Sequence, residues 1–263
     1  MVELSDTFRD PSSRVAKTVV AIDLTGSTKM KEEQPEAAWL TTYGWFFDLL
    51  GKTINGYKGE IIKYLGDGLM AVFDEDDAAK AINWSIVVQE EMASARAKNL
   101  IRCSCSIGIG YGEVVEFSLP TGSHDYIGAV VDRAFRLCDA ANANAIFVDT
   151  DTVAAASMTK ILSVAGNSVA PRRSPKEYRG PEELIRLDGF TRSVSYHEIL
   201  WQNARFSVKP KFATELSEKG GVRTGSDILT MEYALEQKEQ KEQKEQKEQK
   251  EQKEQKEQKE QKE

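Results

Sequence analysis

Residues Ile61 to Phe73 read IIKYLGDGLMAVF, two apolar runs on either side of Gly66-Asp67-Gly68. Such a stretch predicts a β-hairpin, with both glycines supplying the positive φ that a short loop requires. Asp67 then stands at the corner. An Asp in a turn ordinarily serves its own backbone, but a second carboxylate in a similar setting gives this one another meaning. Asp23 closes the apolar run Thr18 to Ile22 and is followed at once by the turn Leu24-Thr25-Gly26-Ser27-Thr28. A helix between this strand and the hairpin gives the order strand, helix, strand, strand. In a split βαβ unit the second hairpin strand inserts beside strand one and runs antiparallel to it, so the hairpin tip lies beside the end of strand one. Topology therefore brings Asp23 and Asp67 together. Paired carboxylates suit hard divalent cations, Mg²⁺ or Mn²⁺, completed by phosphate and water. A two-metal clamp on a phosphoryl centre is the expectation.

Composition narrows the function classes. The formal net charge is −7 and no basic tract occurs, which argues against a nucleic-acid partner. Cys103, Cys105 and Cys138 have no CxxC spacing, and an odd count argues for a reducing cytosol rather than a disulfide frame or zinc site. No apolar run approaches the roughly 20 residues needed to span a bilayer, so a soluble cytoplasmic protein is expected. From Glu236 the chain repeats Glu-Gln-Lys to its end without one apolar residue. Such a tail has no a and d positions for a coiled coil and reads as a disordered, charged extension. The expected organisation is a polar leader over 1–16, a catalytic domain over 17–201, a linker or extension over 202–235 and the repeat tail over 236–263.

Along the chain, a helix is expected from Pro35 to about Ile54, with Trp39, Tyr43, Phe46, Phe47, Leu50 and Ile54 at helical spacing as core. The run Asp74 to Asp77 reads as the cap and acidic first turn of a helix reaching about Lys98, not as a metal site. Ile101 to Val115 reads as a strand and turn whose glycines permit close strand packing. A helix from Ala129 to Ala141 places Asp132 and Arg136 four apart on one face, the spacing of an ordinary surface ion pair, with Val131, Ala134, Phe135 and Cys138 on the other. Ala145 to Val148 is a further strand, and Leu184 to Leu187 with Val194 to Leu200 form a closing pair.

Over about residues 17 to 200 these pieces resemble the catalytic domain of class III nucleotide cyclases. The resemblance rests on Asp23 with LTGST, on Lys63 ahead of Gly66-Asp67, on Ile107 to Val115 reading IGIGYGEVV, and on Asp125, Gly128, Asp132 and Arg136. It implies an α+β fold, a ferredoxin-like βαββαβ palm. It also implies cyclisation of a nucleoside triphosphate to the 3′,5′-cyclic monophosphate with release of pyrophosphate. By the same resemblance Asp23, Asp67 and the Leu24 carbonyl hold two Mg²⁺ or Mn²⁺ ions, and Arg136 stabilises charge on the α-phosphate. Lys63 and Asp125 read the base edge, and two sites form between the subunits of a head-to-tail homodimer.

Two departures stand out. Asp132 replaces the family's helix Asn, and the late phosphate-binding Lys is missing from Leu187-Asp188-Gly189-Phe190, with Arg192 a substitute. Lys63 with Asp125 resembles the adenylate cyclase pair and implies ATP. KYLGDG with Tyr64, and Asp132, are instead similar to the pyrimidine cyclases of bacterial antiphage Pycsar systems. Those make cyclic UMP or CMP from UTP or CTP to activate a cyclic-nucleotide-binding effector, which would lie outside this chain. Tyr64 is a candidate for narrowing the base pocket, although strand alternation points it away from Lys63. A catalytically silent nucleotide-binding or dimerisation module is the other class, motivated by Asp132 and the absent Lys.

Overall fold

The computed structural model describes residues 4–119, 122–158, 175–202 and 205–206. The Glu-Gln-Lys tail and most of the 202–235 segment lie outside them. All described residues belong to one compact unit, Met1–Ala213.

Twelve residues form the central strand β1 (Arg14–Thr25), longer at both ends than the expected Thr18 to Ile22. Its first residues, Arg14-Val15-Ala16-Lys17, mix charged and apolar side chains yet pair with β4, and Lys17 reaches Asp74 at 2.7 Å, so pairing extends the strand beyond the apolar run. The leader before it contains the short helix α1 (Leu4–Arg9), whose Phe8 packs edge-on against Phe117. After β1 come α2 (Ser27–Glu33) and α3 (Glu36–Ile54). The segment expected as a turn thus continues into a seven-residue helix, begun by Gly26 at φ +80°. The hairpin follows as β2 (Glu60–Leu65) and β3 (Gly68–Asp74), then α4 (Ala78–Ala97). Next are β4 (Ser104–Ser118), β5 (His124–Ile127), α5 (Ala129–Ala140), β6 (Ile146–Asp149) and α6 (Thr150–Ala156). The antiparallel pair β7 (Arg179–Ile185) and β8 (Val194–Ile199) closes the sheet.

The described strands form one eight-stranded sheet in the order β2-β3-β1-β4-β6-β8-β7, with β5 paired to β4 outside that path. Its first four members, with α3 and α4, are the expected βαββαβ palm: β3 lies between β2 and β1, antiparallel to both, and β4 is antiparallel to β1. Alternation along β1 sorts the core. Val20, Ile22 and Leu24 join Phe46, Leu50, Ile82 and Trp84 of α3 and α4 in one cluster. Val19 and Ala21 face the other way, onto Val130, Val131, Ala134 and Cys138 of α5.

Ile101 to Val115 differs from the expected strand and turn. β4 runs through without a turn, and Gly108, Gly110 and Gly112 fall at alternate positions, leaving a bare strip on the α5 face while Ile107 and Ile109 fill the opposite core. The glycines let the helix settle onto the strand. A Cβ on Gly108 would stand 2.1 Å from the Ala134 carbonyl oxygen and 2.3 Å from the Cys138 nitrogen. Among the described residues no helix is long and apolar enough to cross a membrane.

Candidate active site

The hairpin loop is two residues, since Leu65 pairs with Gly68 across Gly66-Asp67. Of the flanking glycines only Gly66 has a positive φ, +67°, at the first loop position, as a tight hairpin turn of the II′ kind requires. Gly68 serves a different need from the one expected. It is the register partner of Asp23, and a Cβ there would lie 2.4 Å from the Ile22 carbonyl oxygen and 3.0 Å from Asp23 Oδ1. Any side chain at 68 would collide with the backbone that carries Asp23. The carboxylate of Asp23 therefore rests against the residue that follows Asp67, and the hairpin tip lies beside the end of β1.

A cation stands near both acids. Lys31 of α2 lies with Nζ 5.3 Å from the Tyr43 ring centroid, and its pKa is raised chiefly by a hydrogen bond with Tyr43, with Asp67 and Asp23 each adding to the rise. Leu24, whose carbonyl was the third expected metal contact, buries its side chain in the α3 and α4 core. Among the described residues no group of three or more His, Cys, Asp or Glu side chains is placed to form a metal cage. Two carboxylates plus backbone oxygen are what a hard ion completed by phosphate and water needs, so the donor set fits Mg²⁺ or Mn²⁺.

Lys63 and Asp125 are brought together as a pair. Lys63 Nζ donates to Oδ1 at 2.8 Å and Oδ2 at 2.7 Å, and Oδ1 also accepts from the Tyr126 amide. A β-bulge aims the lysine: the register shifts between Ile61 and Lys63, so Ile61 pairs with Ala71 and Lys63 with Met70. Tyr64 is not brought to this pair. It packs edge-on against Phe47 of α3, ring centroids 4.8 Å apart, because alternation past the bulge turns it to the other face. The expected substrate contact from Tyr64 is therefore not formed with Lys63 and Asp125 within the chain.

Asp132 and Arg136 share the exposed face of α5 but do not pair. Arg136 lies 3.4 Å from Asp139 and 4.0 Å from Asp188, the latter in the loop between β7 and β8. That loop is where the late Lys is missing, and it also carries the exposed Arg192. Arg136 is 44% exposed, so these contacts are weak and the guanidinium is open to an incoming anion.

Three residues escaped the sequence reading. Lys31 was hidden because a seven-residue helix leaves little periodicity. Arg133 and Asp149 form the other close ion contact of this helix: Arg133 Nε lies 2.6 Å from Asp149 Oδ2, too oblique for a hydrogen bond, while Arg133 Nη2 donates to the Tyr111 carbonyl at 2.9 Å. Burial raises the Asp149 pKa, and Arg133 with the Thr152 donors opposes the rise. The signal that singles out Asp23, a carboxylate ending a buried apolar run, also holds for Asp149 after Ile146-Phe147-Val148.

With this geometry in place, the comparisons define the class. The model of the adenylate and guanylate cyclase catalytic domain matches residues 11–181, and the chain belongs to that family. An adenylate cyclase of Anabaena cylindrica is 30% identical over 106 residues, covering 37% of this chain and 21% of the relative. Among solved structures, the adenylyl cyclase CyaB from P. aeruginosa superposes with a TM-score of 0.57 at 22% identity, covering 74% of this chain and 97% of that one. The guanylyl cyclase Cya2 superposes at 0.58 and 20% identity with the same coverages. The chain spans only 22% to 28% of the first curated relatives it matches, so the likeness concerns one domain of each.

Proposed function

We propose that the chain is a metal-dependent nucleotide cyclase that converts a nucleoside triphosphate to its 3′,5′-cyclic monophosphate and pyrophosphate. The observation that carries this is the pairing of Asp23 with Gly68, the residue that follows Asp67 at the hairpin tip. These two carboxylates and the Leu24 carbonyl would hold divalent ions, which when bound neutralise the triphosphate and acidify the ribose 3′-hydroxyl. The chain's other groups orient and stabilise. Lys63 and Asp125 hold the base by exchanging part of their mutual pair for its donors and acceptors. Arg136 places its fork of donors against the charge that grows on the α-phosphate as the 3′-oxygen attacks phosphorus. Asp132 is an acceptor where the family has an amide, so its role is restricted to positioning through accepted hydrogen bonds. A head-to-tail homodimer would complete two such sites.

For the base we assign a pyrimidine, UTP or CTP, on the likeness of KYLGDG and Asp132 to the antiphage pyrimidine cyclases. The product, cyclic UMP or CMP, would act in the cytosol as a second messenger for a separate effector in antiphage defence. The Lys63–Asp125 pair favours a second reading, ATP. Incubating the pure protein with each of the four triphosphates and Mn²⁺ tests both. Cyclic UMP or CMP supports the assignment, cyclic AMP the second reading, and no cyclic product from any triphosphate overturns the enzyme reading. Asp67→Asn is expected to lower kcat by about a thousandfold with the melting temperature unchanged, since the loop residue supports no core.

A further inference from the structure

α5 lies on a strip of β4 from which side chains are missing. Gly108 and Gly110 bring the strand against the helix backbone at Ala134 and Val130, where a Cβ would meet carbonyl oxygens at 2.1 Å and 3.1 Å. A bare strip permits close approach but has no knobs to interlock with a helix, so it resists sliding along the strand poorly. Directional contacts must supply that register. Arg133 projects from α5 into the gap between β4 and β6. Its Nη2 donates to the Tyr111 carbonyl at 2.9 Å and lies 3.5 Å from Asp151, while its Nε meets Asp149. Asp149 is itself fixed. It is 2% exposed, caps α6 through the Thr152 amide at 2.7 Å and the Thr152 hydroxyl, and accepts from the Tyr111 amide at 3.3 Å.

We propose that Arg133 is a positioning residue, its guanidinium held by Asp149 and the Tyr111 carbonyl so that α5 stops at one point along the glycine strip and presents Arg136 and Asp132 to the nucleotide. The proposal rests on the cyclase reading for its catalytic consequence. Arg136 is three residues further along the same helix, and a shift of about 1 Å in a group that stabilises a transition state costs on the order of a hundredfold in rate.

The test compares Arg133→Met, Asp149→Asn, their combination and Arg133→Lys with the packing control Val130→Ala, in the full chain. Steady-state kinetics, melting temperature and hydrogen exchange of the 129–140 amides are read for each. Expected are kcat losses of at least tenfold in each single variant with KM within threefold, and a double variant no worse than the poorer single. Arg133→Lys, which restores one charge but not the fork, recovers part of the loss. The α5 amides exchange at least tenfold faster in Arg133→Met and Asp149→Asn, while Val130→Ala keeps kcat within threefold even where its melting temperature falls as far. Unchanged α5 exchange in both variants, a rise in KM in place of a fall in kcat, or an equal kcat loss in Val130→Ala overturns the proposal. If the wild type makes no cyclic nucleotide, the cyclase reading falls alone. The exchange data then decide: faster α5 exchange specific to the two ion-pair variants upholds the anchor, and its absence removes it.

Discussion

Two ion pairs flank α5, and they differ in one respect that sets their use. Lys63 and Asp125 have side chains 34% and 16% exposed; Arg133 and Asp149 have 19% and 2%. Water reaches the first pair from the lysine side, so a ligand can take over part of its hydrogen bonding at little cost. The second pair is enclosed and also satisfied by Thr152 and Tyr111, so parting it would strand a charge in a poorly hydrated place. Exposure separates the pair that can exchange partners from the pair that holds the frame.

That contrast can be broken by measurement. Asp149→Ala leaves Arg133 only the Tyr111 carbonyl and the exposed Asp151 and removes the α6 cap, and urea unfolding should show a loss of about 3 kcal/mol; a loss near zero would erase the distinction. Gly108→Ala, which drives a methyl into the Ala134 carbonyl and lifts α5 away from Asp149, should cost about 3 kcal/mol in the same assay. Asp125→Ala should change stability by under about 1 kcal/mol, because its partner is screened by water, while altering the ratio of kcat/KM among the four triphosphates.

The smallest effect concerns neutral groups under the same burial. The Cys138 pKa is pushed up to about 12 by burial, opposed by hydrogen bonding with the Ser106 side chain, and burial also raises Cys105 and Cys103. Raised thiol pKa values mean that the thiolate fraction is negligible below the shifted value. The folded protein should therefore leave a thiol reagent unconsumed over an hour at pH 8, and the unfolded chain should consume three equivalents for its three cysteines.

Much of this was legible in the residues. Apolar runs ending in Asp23 and around Gly66-Asp67 predict the palm and the place of the hairpin tip beside Asp23, because split βαβ topology leaves the tip nowhere else to go. Lys63 and Asp125 are linked in the sequence only through resemblance, and in the fold they are in contact. What was not legible has physical reasons. Glycine reads as a turn former, yet in β4 it recurs at period two, a strand signature in which one face is bare. The bulge in β2 has no residue signal, because Ile61 and Ile62 are both apolar and either register buries one. Arg133 and Asp149 carry no pairing signal in the sequence, because only the fold sets the end of β6 beside α5.

The bulge has one further consequence. Because it inserts one residue, Ile62, ahead of Lys63, the two side chains after it have exchanged sides relative to an unbroken strand. Deleting that isoleucine would give a regular ladder in which Lys63 still pairs with Met70 and Tyr64 with Leu69, so both side chains would keep their present faces. Were Ile62 itself to pair with Met70, Lys63 would move to Leu69 and Tyr64 to Gly68, and the lining would change from basic to aromatic; the unpaired isoleucine is the spacer that keeps the ammonium on the side of Asp125.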